Sequence, residues 1–416
     1  MSAPAPAVQR RVLGVLTATQ VLGACGVAAG VAVSALAAAA LSGSAAVGGL
    51  AATAPTLGSA LFAVPAASLA DRRGRRPALV LGYGLGALGA GLAVLALAVR
   101  SWPLLLGALI LFGGGSMAGL AARYAATDLA APQRRARALS VVVWASTAGV
   151  VVGPNLAGPA GAAAGGLGLP EAAGAYLVAT LVFLAAALLA GLGLRPDPLV
   201  LARESAGGAG CPMHGGVLTV PARDRRAAAW RQLRGQARLA LAGIVLCHAA
   251  MVGLMSMTPV HLDHGGHSLA VVGVVISLHA AAMYVASPLF GWLADRHGRV
   301  PVLGLGTALV VAAAGIAGTA DSGDAPQLAL ALIVLGFGWS AGVVSGSALL
   351  TESVPLAERP NVQGLSDLLM NLGGAGGGVL AGVLVTAGSY PALGLLVGFA
   401  ALPLLVICAL RALRAA

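Results

Sequence analysis

The chain has 416 residues, is 59% hydrophobic and only 9% charged, and carries a formal net charge of +11. Soluble proteins are about one quarter charged, so a water-soluble globule is excluded. Apolar runs of roughly 20 residues recur along the chain, each long enough to cross about 30 Å of hydrocarbon. They come in blocks without alternation, which excludes a transmembrane β-barrel and predicts an all-α membrane protein.

Twelve transmembrane helices are predicted, near 12–34, 46–69, 77–99, 102–127, 139–160, 172–194, 237–260, 268–292, 300–319, 326–350, 362–386 and 390–412. The opening "MSAPAPAVQRRVLGVL" sets Arg10 and Arg11 before an apolar run, as a signal peptide would. With so many spans behind it, it reads as a retained first helix. All 24 basic residues are Arg. They cluster in short loops, which ties the positive charge to membrane topology and not to nucleic acid. "DRRGRR", "QRRAR", the middle loop, "DRHGR", "ERP" and "RALR" fall on one side; "DSGD" and "HLDHGGH" fall on the other. The expectation is a multi-pass protein of the cytoplasmic membrane with both termini cytoplasmic. The four Cys show no paired spacing, so no disulfide framework is expected.

Residues 195–236 read as a cytoplasmic linker between a six-helix bundle at 1–194 and another at 237–416. The linker opens with Pro and Gly, as a flexible segment would. It ends in "RDRRAAAWRQLRGQAR", either a basic helix with Trp230 on an anionic membrane surface or a solvated linker helix.

The two halves repeat. "LADRRGRRPAL" begins at Leu69 and "LADRHGRVPVL" at Leu293, an offset of 224 residues that follows the second helix of each half. Such duplication indicates a pseudo-symmetric two-bundle transporter with its site at the bundle interface. At these residues the chain resembles the major facilitator superfamily, whose signature is G-x-x-x-D-R-x-G-R-R; the second copy keeps the leading glycine as Gly291, and the first has Ala67 there. Asp71, Arg72, Gly74 and Arg75 in the first copy, with Asp295, Arg296, Gly298 and Arg299 in the second, are assigned a gating role. Asp71 and Asp295 can pair with nearby Arg side chains or accept hydrogen bonds from a helix N-terminus.

The window Cys247–Met283 holds five of the 7 His and four of the 8 Met. On the seventh span Cys247, Met251 and Met255 stand four apart, forming one stripe. On the eighth, His279 and Met283 do the same. Thioether and imidazole ligands favour Cu(I) over hard ions such as Mg²⁺, and neutral ligands allow release. The alternative is packing, since Met commonly fills cores. His261, Asp263, His264 and His267 in "HLDHGGH" are read as outer metal capture or a polar turn. Cys211, Met213 and His214 in "CPMHGG" are read as inner metal capture or an ordinary loop.

M-x-x-x-M followed by H-x-x-x-M also resembles a narrower family, the CcoA-like (CalT-type) copper importers. That resemblance implies Met251, Met255, His279 and Met283 as copper ligands and import serving cytochrome oxidase assembly; Cys247, on the same stripe, is carried as a fifth metal candidate that the resemblance does not assign. Some relatives of that family lack the metal motifs and carry riboflavin.

In the fifth span, "GVVVGPNLAGP" resembles the glycine-proline motif of drug:proton antiporters, with Asn155 a cavity candidate. In the eleventh, Asp367 and Asn371 are cavity or coupling candidates, Asp367 preferentially as a helix-end charge reaching the cytoplasm. Arg123 and Asp128 are expected to be structural partners. There is no phosphate loop and no catalytic constellation, so no enzyme activity is expected. The expected partners are a copper ion as transported substrate, the lipid bilayer and a cytoplasmic copper chaperone, with no nucleic acid, no permanently bound cofactor and a monomeric state. Riboflavin or another organic solute, drug efflux, and copper sensing without transport are the competing readings.

Overall fold

The computed structural model describes residues 6–207 and 233–414. The helices are α1 (Pro6–Ser42), α2 (Ala45–Arg73), α3 (Arg75–Ala98), α4 (Trp102–Ala125), α5 (Arg135–Gly166), α6 (Ala172–Gly193), α7 (Pro198–Gly207), α8 (Gln236–His264), α9 (Leu269–Val285), α10 (Ser287–His297), α11 (Arg299–Gly318), α12 (Ala325–Glu352), α13 (Arg359–Ala387) and α14 (Tyr390–Leu413). Twelve stretches among the described residues are long and apolar enough to span a membrane. Apolar side chains also point outward, among them Leu81, Leu181, Leu395 and Phe399. An outward apolar surface suits lipid, where a helix satisfies every backbone group internally.

Two compact units form. The first holds the described residues of Met1–Ala130, Ala145–Gln232 and Val354–Leu368, and the second those of Ala131–Trp144, Leu233–Ser353 and Leu369–Ala416. The boundary therefore departs from the expected 1–194 and 237–416: the start of α5 belongs with the second unit, and the start of α13 with the first.

Four local features depart from the expected elements. The repeated L-A-D-R motif lies on the last turn of α2 and of α10, and a single glycine joins each to the next helix. Gly74 has φ 92° and ψ 177°, and Gly298 has φ 98° and ψ 155°, a region that only glycine occupies readily. The head of the linker is the helix α7, where a flexible segment was expected. The eighth span is two helices, broken at Ala286 because Pro288 cannot donate to the preceding turn. The seventh span continues through "HLDH" to His264, so only Gly265–Ser268 forms the connection to the eighth.

Small residues let the helices approach closely. In the first unit Phe112 packs edge-on against Phe183 and Tyr176. In the second, α8, α9 and α11 all pack on α12, whose C-terminal two-thirds, from Leu335 to Thr351, is almost entirely buried.

Candidate metal centre and charge network

α12 receives the two metal motifs on different faces. α8 crosses it antiparallel: Cys247 lies under Gly342, where a β-carbon would stand 2.5 Å from Sγ, and Ile244 lies under Gly346. α9 runs parallel to it, with His279 beside Leu332, and Ser287, which opens α10, is bonded to Ser340. Continuing the antiparallel register residue for residue, α8 reaches the level of Gly336 near about residue 253. That point lies between Met251 and Met255, and Gly336 is where α9 brings Met283. By this register the segments that carry both motifs pass the same level of α12 on different faces of it. Met251 and Met283 are buried and Met255 is half-buried.

His279 is fully buried. Its Nδ1 lies 2.7 Å from the Leu332 carbonyl oxygen. A carbonyl only accepts, so Nδ1 carries the proton and Nε2 presents a bare lone pair. Nε2 is buried and has no hydrogen-bond partner among the described residues. Metal-binding histidines show this arrangement, one ring nitrogen held by a carbonyl and the other turned to the ion. His248 is arranged oppositely: its Nδ1 accepts from Trp339 Nε1 at 3.0 Å, so that lone pair is occupied.

The remaining candidates divide. Cys247 is buried against α12. His261 stacks on Tyr390, with ring centroids 4.3 Å apart and planes 11° apart, and its Nε2 donates to the Ala320 carbonyl at 3.2 Å. Tyr390 also bonds Thr258. Asp263 and His264 are exposed; His267 is half-buried with Nε2 unpartnered among the described residues. No three of His, Cys, Asp and Glu among the described residues group to hold a metal, so a metal centre here would rest on His279 and thioether sulfur. Cys211, Met213, His214 and Trp230 lie outside the described residues. Asn155 is exposed and donates to Val151 of its own helix.

The charged residues form a network with the sequence's own repeat. Arg75 donates to both carboxylate oxygens of Asp128, at 2.7 and 3.1 Å, and to Gln363 at 2.6 Å. Arg299 pairs with Glu352 at 2.8 Å. Both members of the second pair lie 224 residues beyond those of the first. Asp295 accepts from the backbone N–H groups of Ala136 and Arg137 at the start of α5, at 3.2 and 2.9 Å, and pairs with Arg299 at 2.9 Å. Asp71 pairs with Arg203 of α7 at 2.7 Å and accepts from Asn361 at 3.2 Å. Asp197, just before α7, accepts from Arg76 N at 2.7 Å and covers Gly74. Arg72 and Arg296 are exposed, Arg296 lying over the Trp292 ring.

Two expectations are corrected here. Asp128 pairs with Arg75, whereas Arg123 donates to Asp367 at 2.6 Å. Asp367 is therefore a buried partner, 4% exposed, and no helix-end charge reaching water. With Arg75, Tyr124 and Gln363 it lines a small cavity. Asn371, one turn further on, is also buried. The acids at 128 and 352 were readable from the repeat offset. The partners of Asp71 and Asp367 carry no such signal, because they come from elements distant in sequence.

Comparison with known proteins agrees with this architecture. The profile of the Major Facilitator Superfamily matches residues 15–271 and 262–415. The chain is 38% identical to an uncharacterized MFS-type transporter of Bacillus subtilis, YdeG, over 95% of this chain and 90% of that one. It is 30% identical to the riboflavin transporter RfnT of Brucella anthropi, over 76% of this chain and 74% of that one. Among solved structures, the human organic anion transporter MFSD10 (TETRAN) superposes with a TM-score of 0.74 at 18% identity, over 96% of this chain and 99% of that one, a likeness of fold alone.

Proposed function

This chain belongs to the Major Facilitator Superfamily, and we propose that within this family of transporters it imports copper, as Cu(I), across the cytoplasmic membrane by alternating access. Met251 and Met255 of α8 with His279 and Met283 of α9 are the ligands. The observation that carries the reading is His279: a fully buried imidazole, tautomer fixed by Leu332, with an unpartnered Nε2. An imidazole in a membrane span is costly unless it has a task. Neutral thioethers beside it suit a soft monovalent ion and hold it loosely enough to release.

The Arg-rich segments lie in the cytoplasm in this reading, with both termini. The motifs at Asp71–Arg75 and Asp295–Arg299 act as gates, their ion pairs favouring one access state. A cytoplasmic copper chaperone would take the ion onward.

Cellular copper measured by elemental mass spectrometry tests the proposal. Cells lacking the gene are compared with cells expressing wild type, Met255→Ala or His279→Ala at trace external copper and matched protein levels. Wild type raising copper while neither variant does is the expected result. Copper unchanged in every strain would overturn it.

A second reading, riboflavin transport, is favoured by the 30% identity to RfnT. It expects flavin uptake that survives loss of the Met and His side chains.

A further inference from the structure

α9 and the first residue of α10 meet α12 along a ladder of constant register. His279 stands against Leu332, Met283 against Gly336 and Ser287 against Ser340, each pair separated by 53 residues in sequence and each rung four residues beyond the last. In two parallel helices four residues advance each about 6 Å, so the rungs remain in step. The rungs differ in chemistry. At the first, Nδ1 of His279 donates to the Leu332 carbonyl. At the second the helices meet backbone to backbone: a β-carbon on Gly336 would stand 2.8 Å from the His279 carbonyl oxygen and 3.0 Å from the Met283 amide nitrogen. At the third, the Ser287 and Ser340 hydroxyls bond at 2.8 Å, and Ser287 also donates to the Met283 carbonyl at 3.2 Å. That last bond binds the break at Ala286 back to the turn bearing Met283.

We propose that Gly336 and Ser340 of α12 are positioning residues for a Cu(I) site, acting through His279 and Met283 without touching the ion. This rests on the copper reading. Gly336 lets α9 approach closely enough for Nδ1 to reach the Leu332 carbonyl, and that bond fixes the tautomer that leaves the buried Nε2 with its lone pair free for a metal. Ser340 holds Ser287 at the head of α10, and Ser287 in turn bonds the Met283 carbonyl, so the end of α9 cannot slide or rotate about its contact at Gly336. A methyl group at 336 meets backbone atoms on the opposing helix, and only a displacement of α9 accommodates it.

The test uses purified full-length protein in detergent. Cu(I) affinity is measured by competition with a chromogenic Cu(I) chelator, the thermal unfolding midpoint is recorded alongside, and Cu X-ray absorption reports nitrogen coordination. The variants are His279→Ala, Gly336→Ala, Ser340→Ala and Gly338→Ala. Gly338 is the control: it lies two residues away but faces α11, where a β-carbon would stand 3.0 Å from the Gly306 carbonyl oxygen. Outer partners of metal ligands typically change affinity by about 10–100-fold. Gly336→Ala is expected to weaken Cu(I) binding by about ten-fold or more and to lose the nitrogen signal. Gly338→Ala is expected to bind as wild type even where its unfolding midpoint falls equally. Should Gly336→Ala not fold, Ser340→Ala carries the test, with weakened binding at a near-native midpoint expected. If His279→Ala abolishes binding but Gly336→Ala and Ser340→Ala bind as wild type, or if Gly338→Ala weakens binding as much as they do, the positioning role is overturned and the copper reading stands. If His279→Ala binds as wild type, the copper reading falls and the positioning role with it.

Discussion

Asp367 accepts a hydrogen bond from Arg123 Nη2 at 2.6 Å, with both side chains buried. The pair joins α4 to the first turns of α13, inside the first unit. Arg123 also lies beside Tyr124, with its guanidinium carbon 4.8 Å from the ring centroid. Removing one partner of a buried pair leaves a charge in a medium that solvates it poorly, at a cost of about 3–5 kcal/mol. Asp367→Asn is therefore expected to destabilise the protein by about that much, measured by denaturant titration in detergent. The double change Arg123→Gln, Asp367→Asn is expected to recover a large part of the loss. Equal losses in the single and double variants would contradict this coupling.

The two linking glycines differ in their surroundings. Both adopt backbone angles that a side chain tolerates poorly, costing about 1–3 kcal/mol each. Gly74 is also covered by the Asp197 carboxylate, whereas the nearest atom to a β-carbon on Gly298 is Pro301 Cδ at 3.5 Å. Gly74→Ala is expected to lower the unfolding midpoint more than Gly298→Ala. Asp197→Ala should narrow the gap, because it removes the steric part and leaves the conformational part.

Cys247 shares the stripe of Met251 and Met255, yet its sulfur packs under Gly342. Cys247→Ala is expected to keep Cu(I) affinity within about two-fold of wild type, with a stability loss of order 1 kcal/mol for the lost packing. A ten-fold weakening would make Cys247 a ligand.

His261 offers a similar discrimination at the C-terminal end of α8. Its ring stacks on Tyr390 and its Nε2 holds the loop at Ala320. His261→Phe keeps the stack and loses any metal-binding capacity. Copper uptake at trace concentration is expected to be unchanged in this variant and reduced in His261→Asp, which breaks the stack. If both reduce uptake equally, His261 captures metal at the mouth.

The membrane class and its helical spans were legible because hydrocarbon demands long uncharged runs, a property local to each segment. The repeat at Leu69 and Leu293 also carried physical meaning within the chain: its glycines supply two backbone conformations, and its acids and arginines recur in the network at the same offset. Spacing of four placed Met251 with Met255, and His279 with Met283, on common helix faces.

What a helix face meets depends on elements far away in sequence, and there the tertiary structure decided. Asp71 found Arg203 in the linker helix, and Asp367 found Arg123 in α4, because a buried charge takes whichever opposite charge the packing brings near. Histidine shows the same division. His248, His261 and His279 are chemically alike in the sequence. Trp339, Tyr390 with Ala320, and Leu332 respectively determine how each ring is engaged, and His279 is the one of these three whose Nε2 is left buried without a partner among the described residues.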